Sequence, residues 1–162
     1  MVEVFRMTRE IRYQGAIVKE DQILLIMHHA LKSDVSYWVV PGGGIIEGET
    51  EEECVIRELR EETNLVVEVE RLLLDEPSPA EGVYRWNKTY LCKPVGGEAS
   101  PGHEPEPEVA SEYAISQVKW FDLGDESTWE DKLVEDPFTY PTLQKIRKAL
   151  GYRRKEGQKG VS

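Results

Sequence analysis

The most constraining stretch of this chain is a glycine turn that feeds straight into a capped acidic segment: Val39-Val40-Pro41-Gly42-Gly43-Gly44 leads through Glu49 into Thr50-Glu51-Glu52-Glu53-Cys54-Val55-Ile56-Arg57-Glu58-Leu59-Arg60-Glu61-Glu62-Thr63-Asn64-Leu65. Thr50 and Glu53 have the spacing of a capping box, in which a hydroxyl and a carboxylate each satisfy a backbone amide at a helix start. This predicts a helix from Glu51 to about Glu62. Asn64 falls where a helix often ends on a left-handed residue, and Asn tolerates that conformation better than other residues with a side chain. At 100° per residue, Glu58, Glu61 and Glu62 cover an arc of about 100°, while Ile56, Leu59 and Thr63 form another strip that can pack on a sheet. Like charges so placed repel by a few tenths of a kcal/mol per pair in an exposed helix. The cost rises towards a pocket unless a cation is present.

Hard divalent cations take oxygen ligands, and Mg²⁺ uses one or two carboxylates with waters and substrate phosphate oxygens. Three clustered glutamates beside a glycine turn suit that role, and a glutamate can also serve as general base. A solvated acidic face is the plain alternative, and three glutamates alone would favour it.

Around this segment the chain alternates strand-like runs with turns. Gly15–Lys19 and Gln22–Met27 flank Glu20-Asp21, a tight hairpin signal, and Tyr37–Val40 is a short strand ended by Pro41 and the glycines. Val66–Leu74, Tyr84–Cys92 and Ala114–Phe121 are further strands. The stretch from Lys93 to Ser111, rich in Pro, Gly and Glu, is too long for a simple turn and reads as functional or mobile. Glu126–Val134 and Thr142–Leu150 are helix candidates, the second marked at its end by Gly151. Residues 1–150 make one domain, and 151–162, with four basic residues against Glu156, read as a disordered basic tail.

The formal net charge of -11 argues against duplex nucleic acid or an anionic membrane as partner. Cys54 and Cys92 lack metal-ligand spacing, no signal-peptide pattern opens the chain, and the longest apolar run is Ile23–Met27. A soluble protein of the cytoplasm is the expectation.

The residues Gly43, Glu49, Arg57-Glu58-Leu59, Glu61-Glu62 and Leu65 stand at the spacing G-x5-E-x7-R-E-U-x-E-E-x-G-U, and the chain closely resembles the Nudix hydrolases on this box. Asn64 replaces the usual glycine. The likeness extends over about residues 10–150 and implies an α/β fold, an α/β/α sandwich with a mixed β-sheet. It implies metal binding by Glu58, Glu61 and Glu62, catalytic roles for Glu58, Glu61 and Arg57, and a structural role for Glu49 and Asn64 in shaping the box. Gly42 and Gly43 are the substrate-side candidates, since glycines let backbone approach phosphate. A further glutamate before the last strand is implied, with Glu112 first choice and Glu104, Glu106 and Glu108 as alternatives. The implied cofactor is Mg²⁺, or Mn²⁺ in its place; the implied partner is a small nucleotide, and a homodimer is compatible.

The activity so implied is attack of water on a diphosphate linkage in a nucleoside diphosphate joined to a group X, with nucleoside triphosphates or related small nucleotides preferred. ADP-ribose, nucleotide sugars and dinucleoside polyphosphates are alternatives, and a non-catalytic nucleotide-sensing module is the rival of another class. His28 and His29, facing opposite ways at the end of their strand, read as surface or packed histidines before phosphate contacts. Tyr84, Trp86 and Tyr90 share a face that favours packing over base stacking. Cys54 reads as a small packed residue.

Overall fold

The computed structural model describes residues 10–79, 82, 84–103 and 113–152. Strand β1 (Ile11–Lys19) turns at Glu20-Asp21 into β2 (Gln22–Ala30). Both turn residues have positive φ, 51° and 65°, the backbone of a two-residue turn whose twist matches the strands it joins. The two strands pair only at Val18–Ile23 and Lys19–Gln22, then diverge. On the β1 side, β6 (Trp86–Gly96) runs parallel to β1, and β5 (Val66–Pro77) runs antiparallel to β6. On the β2 side, β3 (Val35–Val39) and β7 (Tyr113–Asp122) pair antiparallel with β2. The sheet is therefore mixed.

Gly42 and Gly43 correct the expectation of a plain turn. They form a two-residue strand, β4, paired with Gln14 and Tyr13 of β1 where β1 and β2 have separated. Only glycine fits there, because a Cβ on Gly42 would stand 2.4 Å from the Tyr13 carbonyl oxygen.

Helix α1 (Glu51–Thr63) lies on one face of the sheet, over a core of Tyr13, Ile17, Leu24, Val55, Leu59 and Val67. The opposite face is covered by α2 (Asp131–Val134) and α3 (Thr139–Ala149), over Ile23, Leu25, Trp38, Phe121, Leu133, Leu143 and Ile146. Two apolar faces of one sheet, each covered by helix, make the expected α/β/α sandwich. The capping box is present: Thr50 Oγ1 accepts from the Glu53 amide at 3.1 Å and Glu53 Oε1 from the Thr50 amide at 2.8 Å. Asn64 ends α1 in the left-handed region at φ 63°.

The single helix expected over Glu126–Val134 is instead a 3₁₀ turn (Glu126–Thr128) and the short α2. Buried Trp129 lies between them in extended conformation, its indole donating to the Asp122 carbonyl at 2.7 Å, a bond that holds the break open. Helix α3 starts three residues earlier than expected because Asp136 Oδ1 accepts from the Phe138 and Thr139 amides, capping the chain ahead of Pro141. The aromatic trio also separates: Tyr90 is buried against α1, whereas Trp86 is exposed and donates to Asp75. The basic tail from residue 153 lies outside the described residues. Among the described residues no helix is long and apolar enough to cross a membrane.

Candidate active site

The buried stripe of α1 is Cys54, Val55, Glu58, Leu59, Glu62 and Thr63, so two of the box glutamates lie on the sheet-facing side together with Leu59. This corrects the expectation of separate acidic and packing strips. Glu58 and Glu62 are each 0% exposed, while the Glu61 side chain, at 28%, stands at the rim. The glycines of β4 make the space. A Cβ on Gly43 would be 2.5 Å from the Glu58 carboxylate carbon, and the Gly42 amide donates to Glu62 Oε1 at 2.7 Å.

Among the described residues, Arg57 is the cation of this site. Its Nη1 donates to Glu58 Oε1 and Glu61 Oε2, both at 3.1 Å, its Nη2 donates to Glu49 Oε1 at 2.7 Å and to the Gly44 carbonyl at 3.0 Å, and its Nε donates to Glu49 Oε2 at 3.0 Å. The hydrogen bonds Arg57 donates to Glu49, and the nearby carboxylates, raise the Arg57 pKa above its ordinary range against the opposing effect of burial. Burial alone would push Glu49 up, but the Arg57 hydrogen bonds, the Ile46 amide and the guanidinium charge together outweigh it and hold the carboxyl below its usual range. Burial, then Glu58 and Glu49, push the Cys54 thiol well up, so it is no nucleophile at neutral pH.

One guanidinium thus faces Glu49, Glu58 and Glu61, with Glu62 a turn further along the same helix. Among the described residues the carboxylates thus outnumber the guanidinium, an imbalance that in a buried setting favours a bound cation. The donor set is all oxygen, the chemistry of Mg²⁺ or Mn²⁺, and it fits such an ion. Among the described residues no three His, Cys, Asp or Glu side chains form a ready metal cage. This is compatible with an ion that completes its shell from water and substrate.

His28 was not among the expected site residues. A β-bulge between Met27 and His28 and the continuation of β2 to Ala30 bring its Nε2 within 3.9 Å of Glu62 Oε2, between the rings of Tyr37 and Tyr113. Strand alternation separates His28 from His29 but does not reveal which of the two faces α1. His29 points away and meets Ser36 and Asp34. Glu104, Glu106, Glu108 and Glu112 all lie outside the described residues.

The two glycines separate stability from chemistry. Gly42→Ala forces a Cβ onto the backbone of Tyr13 and Gln14, and should cost about 3 kcal/mol or more in urea unfolding. Gly43→Ala meets only the movable end of Glu58. It should unfold much nearer to wild type yet lose roughly a hundredfold in turnover, since about 1 Å of misplacement at a reacting centre suffices for that.

Comparison with known proteins agrees with this arrangement. The family model for the NUDIX domain matches residues 11–141. The chain is 31% identical over 132 residues to "Putative nudix hydrolase 1" of Caenorhabditis elegans, covering 82% of this chain and 34% of that protein. It is 34% identical over 94 residues to an ADP-ribose pyrophosphatase of Methanocaldococcus jannaschii, covering 56% and 54%. The chain thus spans only about a third to a half of the length of the curated relatives it matches. Among solved structures, an ADP-ribose pyrophosphatase from Streptococcus suis shares the fold, with a TM-score of 0.62, 23% identity and coverage of 92% of this chain and 97% of that one. With a domain model matched over most of its length and the box glutamates gathered round Arg57 against the β4 glycines, the chain belongs to the Nudix family.

Proposed function

We propose that this chain is a Mg²⁺-dependent pyrophosphohydrolase that cleaves the diphosphate linkage of a nucleoside diphosphate joined to a further group, a nucleoside triphosphate or related small nucleotide. The observation that carries this reading is the burial of Glu58 and Glu62 against β4, beside Arg57, which among the described residues is shared by Glu49, Glu58 and Glu61. A purely structural helix gains nothing from such a buried excess of anions. A bound divalent cation would neutralise phosphate charge and ease ionisation of the attacking water. Glu58 and Glu62 would hold it, each already oriented, Glu58 by Arg57 and Glu62 by the Gly42 amide.

Glu61 is the most accessible of the three and would complete the ligand set or accept the proton of the attacking water. Glu112 is the further base suggested by its place in the sequence. Gly42 and Gly43, without side chains, let the phosphates approach β4. The named relative from M. jannaschii favours ADP-ribose as a second substrate reading. Fully buried Cys54 and Cys92 are compatible with a reducing cytoplasm.

A panel of nucleoside triphosphates, ADP-ribose, nucleotide sugars and dinucleoside polyphosphates, assayed for Mg²⁺-dependent release of phosphate, pyrophosphate or nucleoside monophosphate, tests the reading. Turnover of at least one substrate, lost on chelation, is the expected result. Glu61→Gln should then fall roughly a hundredfold or more in kcat without loss of stability, the size expected for removing a positioned acid–base group. Inactivity across the panel would instead support a non-catalytic nucleotide-binding module.

A further inference from the structure

The C-terminal turn of α1 is covered by a strap, residues 99–103, that follows β6. An α-helix leaves its last four carbonyls without partners inside the helix. Here all four are taken. The Asn64 amide donates to the Arg60 carbonyl at 2.9 Å, the Ser100 amide to Thr63 at 3.0 Å, the Gly102 amide to Glu62 at 2.9 Å and the His103 amide to Glu61 at 2.9 Å. The strap lies so close that a Cβ on Gly102 would stand 1.8 Å from the Glu61 carbonyl oxygen. Two of the carbonyls it grips belong to residues whose side chains build the site.

Asn64 fastens this strap from the other side. Its Nδ2 donates to the Ser100 Oγ at 2.9 Å, the Ser100 carbonyl at 3.2 Å and the Pro101 carbonyl at 3.4 Å. The glycine found at this position of the box pattern has no such donor. Asn64 therefore does more than tolerate the left-handed turn that ends α1.

We infer that Asn64 is a positioning residue: it ties the 99–103 strap across the last turn of α1 and thereby holds Glu61 and Glu62 in register for the metal. The metal-related consequence rests on the function proposed above; the tether itself does not. Substitution by glycine would ordinarily be harmless at φ 63°, since glycine adopts that conformation at no steric cost. Here it should release the strap.

Hydrogen exchange of the metal-free protein tests the tether directly. In Asn64→Gly the Ser100, Gly102 and His103 amides should exchange about tenfold faster than in wild type, the factor corresponding to one net hydrogen bond, while amides in the middle of α1 and in β2 stay unchanged. Ser100→Ala, which leaves both backbone acceptors in place, should give a smaller increase. Asn64→Asp, which keeps the turn but turns a donor into a third party among acceptors, should give a larger one.

The half-saturating Mn²⁺ concentration, read by electron paramagnetic resonance without turnover, should rise about tenfold in Asn64→Gly with the thermal midpoint within a few degrees of wild type. Amides that keep wild-type protection in Asn64→Gly overturn the tether. Amides that open while Mn²⁺ affinity stays put overturn the positioning role. Absence of hydrolysis on every nucleotide would overturn the proposed function alone, since neither readout depends on turnover.

Discussion

Glu58→Gln should keep the fold and lose about a thousandfold or more in Mg²⁺-dependent turnover, with stability at or above that of wild type. The two effects separate because Glu58 is fully buried and its carboxylate contributes charge as well as shape. Gln is nearly isosteric, fits the space left by Gly43, and keeps a carbonyl oxygen to accept from Arg57 Nη1. What it lacks is the negative charge a cation needs. Removing one buried anion from the carboxylates gathered round Arg57 relieves repulsion among them, so chemical unfolding should give a midpoint at or above that of wild type. Turnover near the wild-type rate would remove Glu58 from the machinery, and a collapse of stability would make it a structural residue instead.

The boundaries of α1 were legible because caps are local chemistry: Thr50, Glu53 and Asn64 each act within a few residues of the backbone groups they satisfy. Its facing was not. Periodicity groups residues into strips but does not say which strip meets the sheet, and the actual buried stripe runs through Cys54, Val55, Glu58, Leu59 and Glu62. Two glutamates can occupy it only because β4 offers glycine opposite, a contact between segments that no local pattern contains. His28 was hidden for the same reason, since its approach to Glu62 depends on a bulge opposite β7. The strap was hidden inside a long Pro- and Gly-rich stretch whose composition predicts a loop and not where the loop docks. Asn64 looked like a tolerated departure from the box pattern until its side-chain bonds to Ser100 and Pro101 gave it a reason of its own.

Arg57→Met should be strongly destabilising, by about 3–5 kcal/mol in denaturant unfolding near neutral pH, because it removes the guanidinium that pairs with buried Glu58 and with Glu49. Methionine retains much of the aliphatic volume, so the loss reports on charge and hydrogen bonding more than on a cavity. The pH dependence has a definite sign. Glu49 has a folded pKa held below its unfolded value by Arg57, so its contribution is fully present above the unfolded pKa of about 4.3 and is lost as pH falls through the folded value. In Arg57→Met that contribution is already missing. The gap between wild type and variant should therefore be widest at neutral pH and narrow as pH falls below about 4. Unfolding both proteins across that range checks it. A gap that is constant with pH would assign the loss to packing of the side chain, and a variant as stable as wild type would show that the carboxylates do not need Arg57 to stay buried.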